Sequence, residues 1–164
     1  AITEVKTTKT IIGQGLATQI NVTIANQGTI PNTQLKVVIY ANTTLIHTQT
    51  IPFLSNGTTA TLAFYWNTTD VLKGNYKITA FAIPILDETD TTDNTFTDGW
   101  VLVTVVGDVN GDHIVNIQDL VLVIKAIPSA PGTPKWNPNM DVNNDSIVNI
   151  QDMVIVINKW LSHW

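Results

Sequence analysis

The sequence predicts two domains, a β-sandwich over residues 1–106 followed by a small all-α domain over residues 107–164. Apolar and polar residues alternate with period two as far as about Val106, as in strands that bury one face. Beyond that point the period changes, and a segment of twenty residues occurs twice. Turn residues interrupt the alternating part, and no helical period appears within it.

The alternating part is divided into short strands by residues that favour turns, at 28–31, 42–44, 56–57 and 73–74. About seven strands at this spacing, without helices between them, predict an antiparallel sandwich of immunoglobulin type. The apolar positions that we expect in its core are Ile20, Val22, Ile24, Leu35, Val37, Ile39, Leu62, Phe64, Trp66, Ile78 and Ala80.

Composition excludes several classes of protein. The net charge is −5, and the eight basic residues are scattered lysines without arginine, which argues against a nucleic-acid partner. No apolar run approaches the ~20 residues that a membrane-spanning helix needs, so we expect no membrane insertion. Cysteine is absent, which removes thiolate metal sites. The chain begins at Ala1 without a signal peptide, and we expect it to be cut from a longer protein.

Short motifs in the first half resemble the CARDB family, whose members are immunoglobulin-like modules of bacterial and archaeal surface proteins, named for a link to cell adhesion. The motifs are Asn26-Gln27-Gly28, Tyr40-Ala41-Asn42, Phe64-Tyr65-Trp66-Asn67, Gly74-Asn75-Tyr76, and Asp87-Glu88-Thr89-Asp90 through Asp93-Asn94-Thr95. The acidic loop formed by Asp87, Glu88, Asp90 and Asp93 could hold calcium. We favour the alternative, an ordinary solvated hairpin loop.

The duplicated segment covers residues 108–127 and 141–160, an offset of 33 residues. The two copies share 13 of 20 residues, so they are predicted to form two equivalent structural units. Each copy begins with a twelve-residue loop that has oxygen-bearing side chains at positions 1, 3, 5, 9 and 12, the spacing of an EF-hand calcium loop.

We therefore predict two calcium ions, one in each loop. Position 7 contributes only its backbone carbonyl, so its isoleucine side chain is free to enter the core, and position 9 acts directly or through water. The alternative is a pair of Asx-rich turns without metal, which two complete ligand sets make much less favourable. The predicted ligands are Asp108, Asn110, Asp112, Ile114, Asn116 and Asp119 in the first loop, and Asp141, Asn143, Asp145, Ile147, Asn149 and Asp152 in the second.

The second half resembles the dockerin family over Gly107–Trp160. A strand, not a helix, precedes the first loop, position 12 is aspartate, and D-V-N-x-D-x-x-V-N-x-x-D occurs twice. The resemblance implies two calcium loop-helix (F-hand) units that bind a cohesin module of a scaffold or surface protein. Position 6, where glycine is common, holds His113 and Ser146, which departs from the pattern.

Both predicted helices carry more apolar residues than a small core needs. We assign Leu120, Val123, Ile124 and Ile127, with Met153, Val156, Ile157 and Trp160, to the core. The surplus predicts a partner face, unless it packs on the β-domain or on the other helix. By resemblance to dockerins this face is Ile117, Gln118, Val121, Leu122 and Lys125, with Ile150, Gln151, Val154, Ile155 and Asn158. Its near-twofold symmetry would allow a partner to bind in two orientations.

The sequence thus predicts a calcium-dependent docking module rather than an enzyme. Its histidines are isolated and its clustered carboxylates are assigned to calcium. We expect an extracellular or cell-surface location, a monomer in isolation, and a sandwich that acts as an adjacent spacer or stabiliser. The alternative is an adhesion or carbohydrate-binding module that acts through the sandwich.

Overall fold

The computed structural model describes residues 1–86 and 88–164. Its contacts divide the chain into two compact units that are interleaved in sequence. The first unit comprises Ala1–Thr7, Gln19–Trp66 and Tyr76–Trp100, and the second comprises Thr8–Thr18, Asn67–Asn75 and Val101–Trp164. The boundary at residues 106 and 107 remains a prediction, because compactness groups two earlier segments with the C-terminal part.

The strands form the predicted β-sandwich. Their bounds are β1 Ile2–Thr7, β2 Ile11–Gly13, β3 Ala17–Ala25, β4 Asn32–Ala41, β5 Thr44–Leu54, β6 Thr59–Asn67, β7 Gly74–Ala82 and β8 Thr95–Thr104. One sheet has the order β1-β3-β6 and the other the order β2-β8-β7-β4-β5. The expectation of a wholly antiparallel sandwich is wrong at β2, which pairs parallel to β8. With three residues, β2 is too short to show a period of its own.

Burial in the first unit follows the alternation of the sequence. On β3, Ile20, Val22 and Ile24 are buried, while the residues between them are partly exposed. The same holds on β7, where Ile78 and Ala80 enter the core, whereas on β4 Val38 is buried along with Leu35, Val37 and Ile39. Because a strand sends successive side chains to opposite faces, a period of two identifies the inner face directly.

The second unit contains the helices α1, Ile117–Ala126, and α2, Ile150–Asn158, and a 3₁₀ turn at Pro138–Met140. Neither helix is long and apolar enough to cross a membrane, nor is any other helix in the described part of the chain. The helices share a core whose buried members are Val105, Val109, Val115, Val123, Ala126, Met140, Val142, Val148 and Val156.

The helices are rotated relative to the core assignment made from the sequence. Val123 and Val156 are fully buried as predicted, but Ile124, Ile157 and Trp160, which we assigned to the core, are exposed. Leu120, Leu122 and Ile127, with Met153 and Ile155, are partly buried against the core. Helices this rich in apolar residues have several possible inner faces, and periodicity alone does not choose between them.

Candidate calcium and docking site

The first loop brings three carboxylates together. Oxygens of Asp108, Asp112 and Asp119 lie within 4.8 Å of one another, and the cluster contains no sulfur or imidazole ligand. Asp108 and Asp119 are buried, while Asp112 is exposed. Oxygen ligands in this number suit a hard cation such as calcium, so the residues present fit the predicted ion.

Asp119 connects the first loop to the helix that follows. Its carboxylate accepts hydrogen bonds from the backbone N–H groups of Val109 (2.8 Å), Asn110 (3.2 Å) and Asn116 (2.9 Å). Asn116 in turn caps α1, because its side-chain oxygen accepts from the N–H of Gln118 at 2.7 Å. The predicted position-9 ligand therefore also serves as the helix N-cap. This capping box could have been predicted from the sequence, because Asn-x-x-Asp stands immediately before an apolar run.

Burial raises the pKa of the Asp119 carboxyl, and the nearby Asp108 carboxylate raises it further, while the three backbone donors oppose the shift. A bound dication would reverse this balance, because it favours the ionised form. Asp108 is fixed in the same region by the Thr104 hydroxyl, which donates to it at 2.6 Å.

The second loop repeats this arrangement. Asp152 accepts from the N–H groups of Val142 (2.7 Å) and Asn149 (2.9 Å), as Asp119 does from their counterparts. Asp141 accepts from the N–H of Ser146 at 3.0 Å, just as Asp108 accepts from His113 at 3.0 Å. Asn149 caps α2 in the same capping box. The two loops thus share the hydrogen bonds of their position-1 and position-12 aspartates, whereas among the described residues three carboxylates cluster within 4.8 Å in the first loop only.

Left-handed backbone occurs at two positions of each loop. Position 6 has a φ of 76° at His113 and 68° at Ser146, and position 4 has 77° at Gly111 and 64° at Asn144. The residues that replace glycine at position 6 thus keep a left-handed backbone, a conformation that costs a residue with a side chain more free energy than it costs glycine. His113 also packs edge-on against Trp164, with ring centroids 4.0 Å apart.

Position 8, not position 7, provides the apolar anchor of each loop. Val115 and Val148 are fully buried, whereas Ile114 and Ile147 are exposed, so the expectation that the isoleucines could enter the core is wrong. Each valine is also paired through its backbone. The N–H of Val115 donates to Ser162, and that of Val148 donates to Ser129, both at 2.8 Å.

Lys9 distinguishes the second loop from the first, and its contact with that loop was not predicted from the sequence. It belongs to the segment Thr8–Thr18 of the second unit and is only 7% exposed. Its ammonium group donates to the backbone oxygen of Asp141 and to the side-chain oxygen of Asn144. Burial lowers the pKa of Lys9, while the carboxylates of Asp141 and Asp152 oppose that shift. Asp141 has its pKa raised by burial, and Lys9 counteracts this.

Most of the predicted partner face is exposed on both helices. Ile117 and Val121 form one stripe with Ile124, and Ile150 and Val154 form the other with Ile157, although Ile124 and Ile157 were expected in the core. Asn110, Ile117, Gln118, Val121 and Leu122 line a shallow depression of about 390 Å³. Of the predicted face residues, Leu122 and Ile155 are partly buried against the core, while Gln118, Lys125, Gln151 and Asn158 are exposed.

The acidic loop of the first unit has local hydrogen-bond partners. Glu88 accepts from the N–H of Ile85 at 3.0 Å, and Asp90 accepts from Thr92. Asp93 lies 3.8 Å from the N-terminal ammonium. Asp87, which the sequence grouped with them, lies outside the described residues. The ordinary hairpin loop that we favour here stays a prediction.

The two parts of the chain match different families. Residues 2–98 match the CARDB family model, and residues 106–161 match the model of the dockerin type I domain. Both are families of non-catalytic modules, and dockerin type I domains bind calcium. No curated protein matches the chain.

Solved structures resemble the CARDB part. The CARDB domain of a Pyrococcus furiosus protein, crystallised in complex with di-metal ions, is 27% identical with a TM-score of 0.54, over 63% of this chain and 87% of that chain. The solution structure of the same domain is also 27% identical, with a TM-score of 0.51, over 60% of this chain and 89% of that chain. A domain of a cell surface protein from Methanosarcina acetivorans is 22% identical, with a TM-score of 0.50, over 62% of this chain and 90% of that chain. At this identity the likeness is one of fold alone.

Proposed function

Since the chain belongs to the CARDB family and carries a dockerin type I domain, we propose that it anchors its parent protein by calcium-dependent docking to a cohesin. A dockerin domain serves cohesin docking within a protein assembly. The finer assignment, to an extracellular or cell-surface complex in which the sandwich is a spacer or stabiliser, fits the usual setting of both families.

The observation that carries this proposal is the pair of exposed apolar stripes. Six branched aliphatic side chains, three on each helix, are between 39% and 64% exposed in a unit with a small core. Exposing them to water is unfavourable, at roughly 25 cal/mol for each Å² of apolar surface, so a partner that covers them gains free energy. The polar residues Gln118 and Gln151 lie beside the stripes at equivalent positions and can orient that partner.

Two calcium ions are proposed to organise this face. In the first loop, Asp108, Asn110, Asp112 and Asp119 would hold one ion with the carbonyl of Ile114. In the second loop, Asp141, Asn143, Asp145 and Asp152 would hold the other with the carbonyl of Ile147. Each loop ends at the N-cap of its helix, so an ion that fixes the loop also fixes the first turn, where Ile117 and Ile150 begin the stripes.

The experiment compares three variants by their affinity for the cohesin modules of the organism that makes this chain. Ile117→Asp with Val121→Asp damages one stripe, and Ile150→Asp with Val154→Asp damages the other. Each pair should weaken binding only modestly, because the intact stripe remains available in the other orientation. All four changes together should abolish binding, since burying an unpaired carboxylate costs several kcal/mol, roughly 2–7 for polar groups without compensation.

Leu45→Asp with Phe53→Asp is the matched control, because it places the same charges at exposed apolar positions of the first unit. This variant should bind like the unchanged chain. Circular dichroism and calcium content should confirm that every variant is folded and loaded. Loss of binding in one folded pair alone would contradict the two orientations, and normal binding by the fourfold variant would remove the stripes from the docking face.

A further inference from the structure

The two loops have equal ligands but unequal surroundings. Each supplies three aspartates at positions 1, 5 and 12, which gives a formal charge of −3. Lys9 adds a buried positive charge beside the second loop, and its charged neighbours include Asp141 and Asp152. At the first loop, the charged neighbour that shifts Asp119 is another carboxylate, Asp108. The formal charge is thus −2 around the second loop and −3 around the first.

Lys9 does not occupy the predicted ligand atoms. Its two acceptors are the backbone oxygen of position 1 and the side chain of position 4, Asn144, neither of which is in the predicted ligand set. The ammonium group therefore does not compete with an ion for those atoms. Asn144 is held a second time, since its amide donates to the backbone oxygen of Ala17 at 2.7 Å. The segment Thr8–Thr18 thus fixes the second loop at position 4 by polar contacts.

The first loop meets the same segment differently. Its position 4 is Gly111, where an added Cβ would lie 3.2 Å from a side-chain carbon of Ile11 and 3.0 Å from one of Leu102. This contact is apolar and brings no charge. The repeat sequences give no hint of the difference, because it comes from a segment that lies more than a hundred residues earlier in the chain, 132 residues between Lys9 and Asp141.

We propose that Lys9 makes the two calcium sites unequal. It lowers the calcium affinity of the second loop by charge repulsion, and it holds that loop in shape before the ion binds. The first loop consequently fills at lower calcium concentration than the second. This inference rests on the proposed binding of two ions. Its physical basis is that ligand charge tunes calcium affinity in such loops and that buried charges are poorly screened.

The test is a calcium titration followed by the backbone amide signals of His113 and Ser146 in the ¹⁵N-labelled chain. Each of these N–H groups donates to the position-1 carboxylate of its own loop, so each signal reports one site. The midpoint of His113 should precede that of Ser146. Lys9→Met should move the Ser146 midpoint to about tenfold lower calcium, and leave the His113 midpoint nearly unchanged.

Further variants separate charge from shape. Lys9→Gln, which is also neutral, should shift the Ser146 midpoint in the same direction, whereas Lys9→Arg, which keeps the charge, should stay near the unchanged chain. Lys6→Met is the matched control, because it removes an exposed lysine of β1, and it should shift neither midpoint. In chelator, Lys9→Met should speed hydrogen exchange, read by mass spectrometry, in the second loop more than in the first.

An unchanged or higher Ser146 midpoint in both neutral variants would overturn the role of Lys9, as would equal midpoints in the unchanged chain. If Ser146 failed to respond to calcium in every variant while His113 responded normally, the second loop would bind no ion. That result would overturn the two-ion proposal, and this inference with it.

Discussion

Gly13 permits a close approach between two backbones of the second unit. A Cβ at this position would lie 2.8 Å from the Cα of Val106, a distance that requires the backbone to move. Gly13→Ala should therefore lower the free energy of unfolding by about 1–3 kcal/mol, the usual cost of overpacking. Because Gly13 ends the short strand β2, the same change should disturb the segment that carries Lys9.

Gly99→Ala is the control for Gly13→Ala, because Gly99 also lies in a strand but an added Cβ would meet nothing within 4 Å. That variant should keep or slightly raise stability, since alanine loses less backbone entropy than glycine on folding. Urea denaturation in saturating calcium measures both. Equal effects of the two substitutions would mean that the approach to Val106 is not needed.

Protons should compete with calcium for Asp119 at higher pH than for an ordinary carboxyl, because burial raises the pKa of this group. A carboxylate must be ionised to bind calcium. The affinity of the first loop should thus be constant at neutral pH and fall as the pH drops through the raised pKa, before the ordinary carboxyl range is reached.

Calorimetric titration of calcium at several pH values measures this dependence. Asp119→Asn, which cannot ionise, should bind calcium weakly and lose most of the pH dependence of the first site. An affinity that falls only within the ordinary carboxyl range would contradict the effect assigned to burial.

The sequence was informative about residues whose function depends on local spacing. The prediction of the loop ligands rests on such spacing, because positions 1, 3, 5 and 12 are fixed by the repeat itself. Lys9 could not, because nothing near it in sequence marks it as different from other lysines. Its role depends on a tertiary contact with Asp141 and Asn144, which only the folded backbone creates.

Each helix depends on the asparagine at its N-terminus. Asn116 and Asn149 accept from the N–H groups two residues later, within capping boxes completed by the position-12 aspartates. Asn116→Ala or Asn149→Ala should therefore cost about 1 kcal/mol of stability, and serine at the same position should restore most of it. Thermal unfolding at two saturating calcium concentrations measures this effect.

Asn158→Ala is the matched control for the cap variants, because Asn158 is the last residue of α2 and is exposed. It should be nearly neutral, since alanine is the better helix former. A loss at Asn116 that vanished as calcium is raised further would show that this side chain acts as a ligand and not as a cap.

Strand and helix faces differed in how well the sequence predicted them. In β3 a strict alternation left one choice of inner face, and the structure confirms it. In α1 every position from Leu120 to Ile124 is apolar, so any stripe satisfied the pattern. The position of the core around Val123 is decided by what packs against the helix, which includes Val105 and Met140.

Calcium should stabilise the second unit and leave the first largely unaffected. Three carboxylates in each loop repel one another without an ion, and an ion that binds only the folded state adds stability by mass action. Chelation should broaden the amide signals of Val101–Trp164 and of Thr8–Thr18, while Gln19–Trp66 stays dispersed. Equal resistance of both units to the chelator would contradict this division.

The interleaving of the two units is the feature of the whole molecule that the sequence did not reveal. Periodicity and repeats divide the chain once, near residue 106, because both describe consecutive residues. Compactness depends on contacts between distant residues, and it groups Thr8–Thr18 and Asn67–Asn75 with the C-terminal part. Domain order was thus predictable from the sequence, whereas the membership of these two segments was not.

The most direct test of the account is the affinity of the intact chain for the cohesin modules of its own organism, measured by calorimetry with calcium and with chelator. We predict tight binding in calcium to at least one of them, lost on chelation and restored when calcium is returned. The calcium-loaded chain, shown to be folded by its NMR spectrum, should also bind through the stripes of α1 and α2. A folded, loaded chain that binds none of these cohesins, or binds equally well in chelator, would contradict the account.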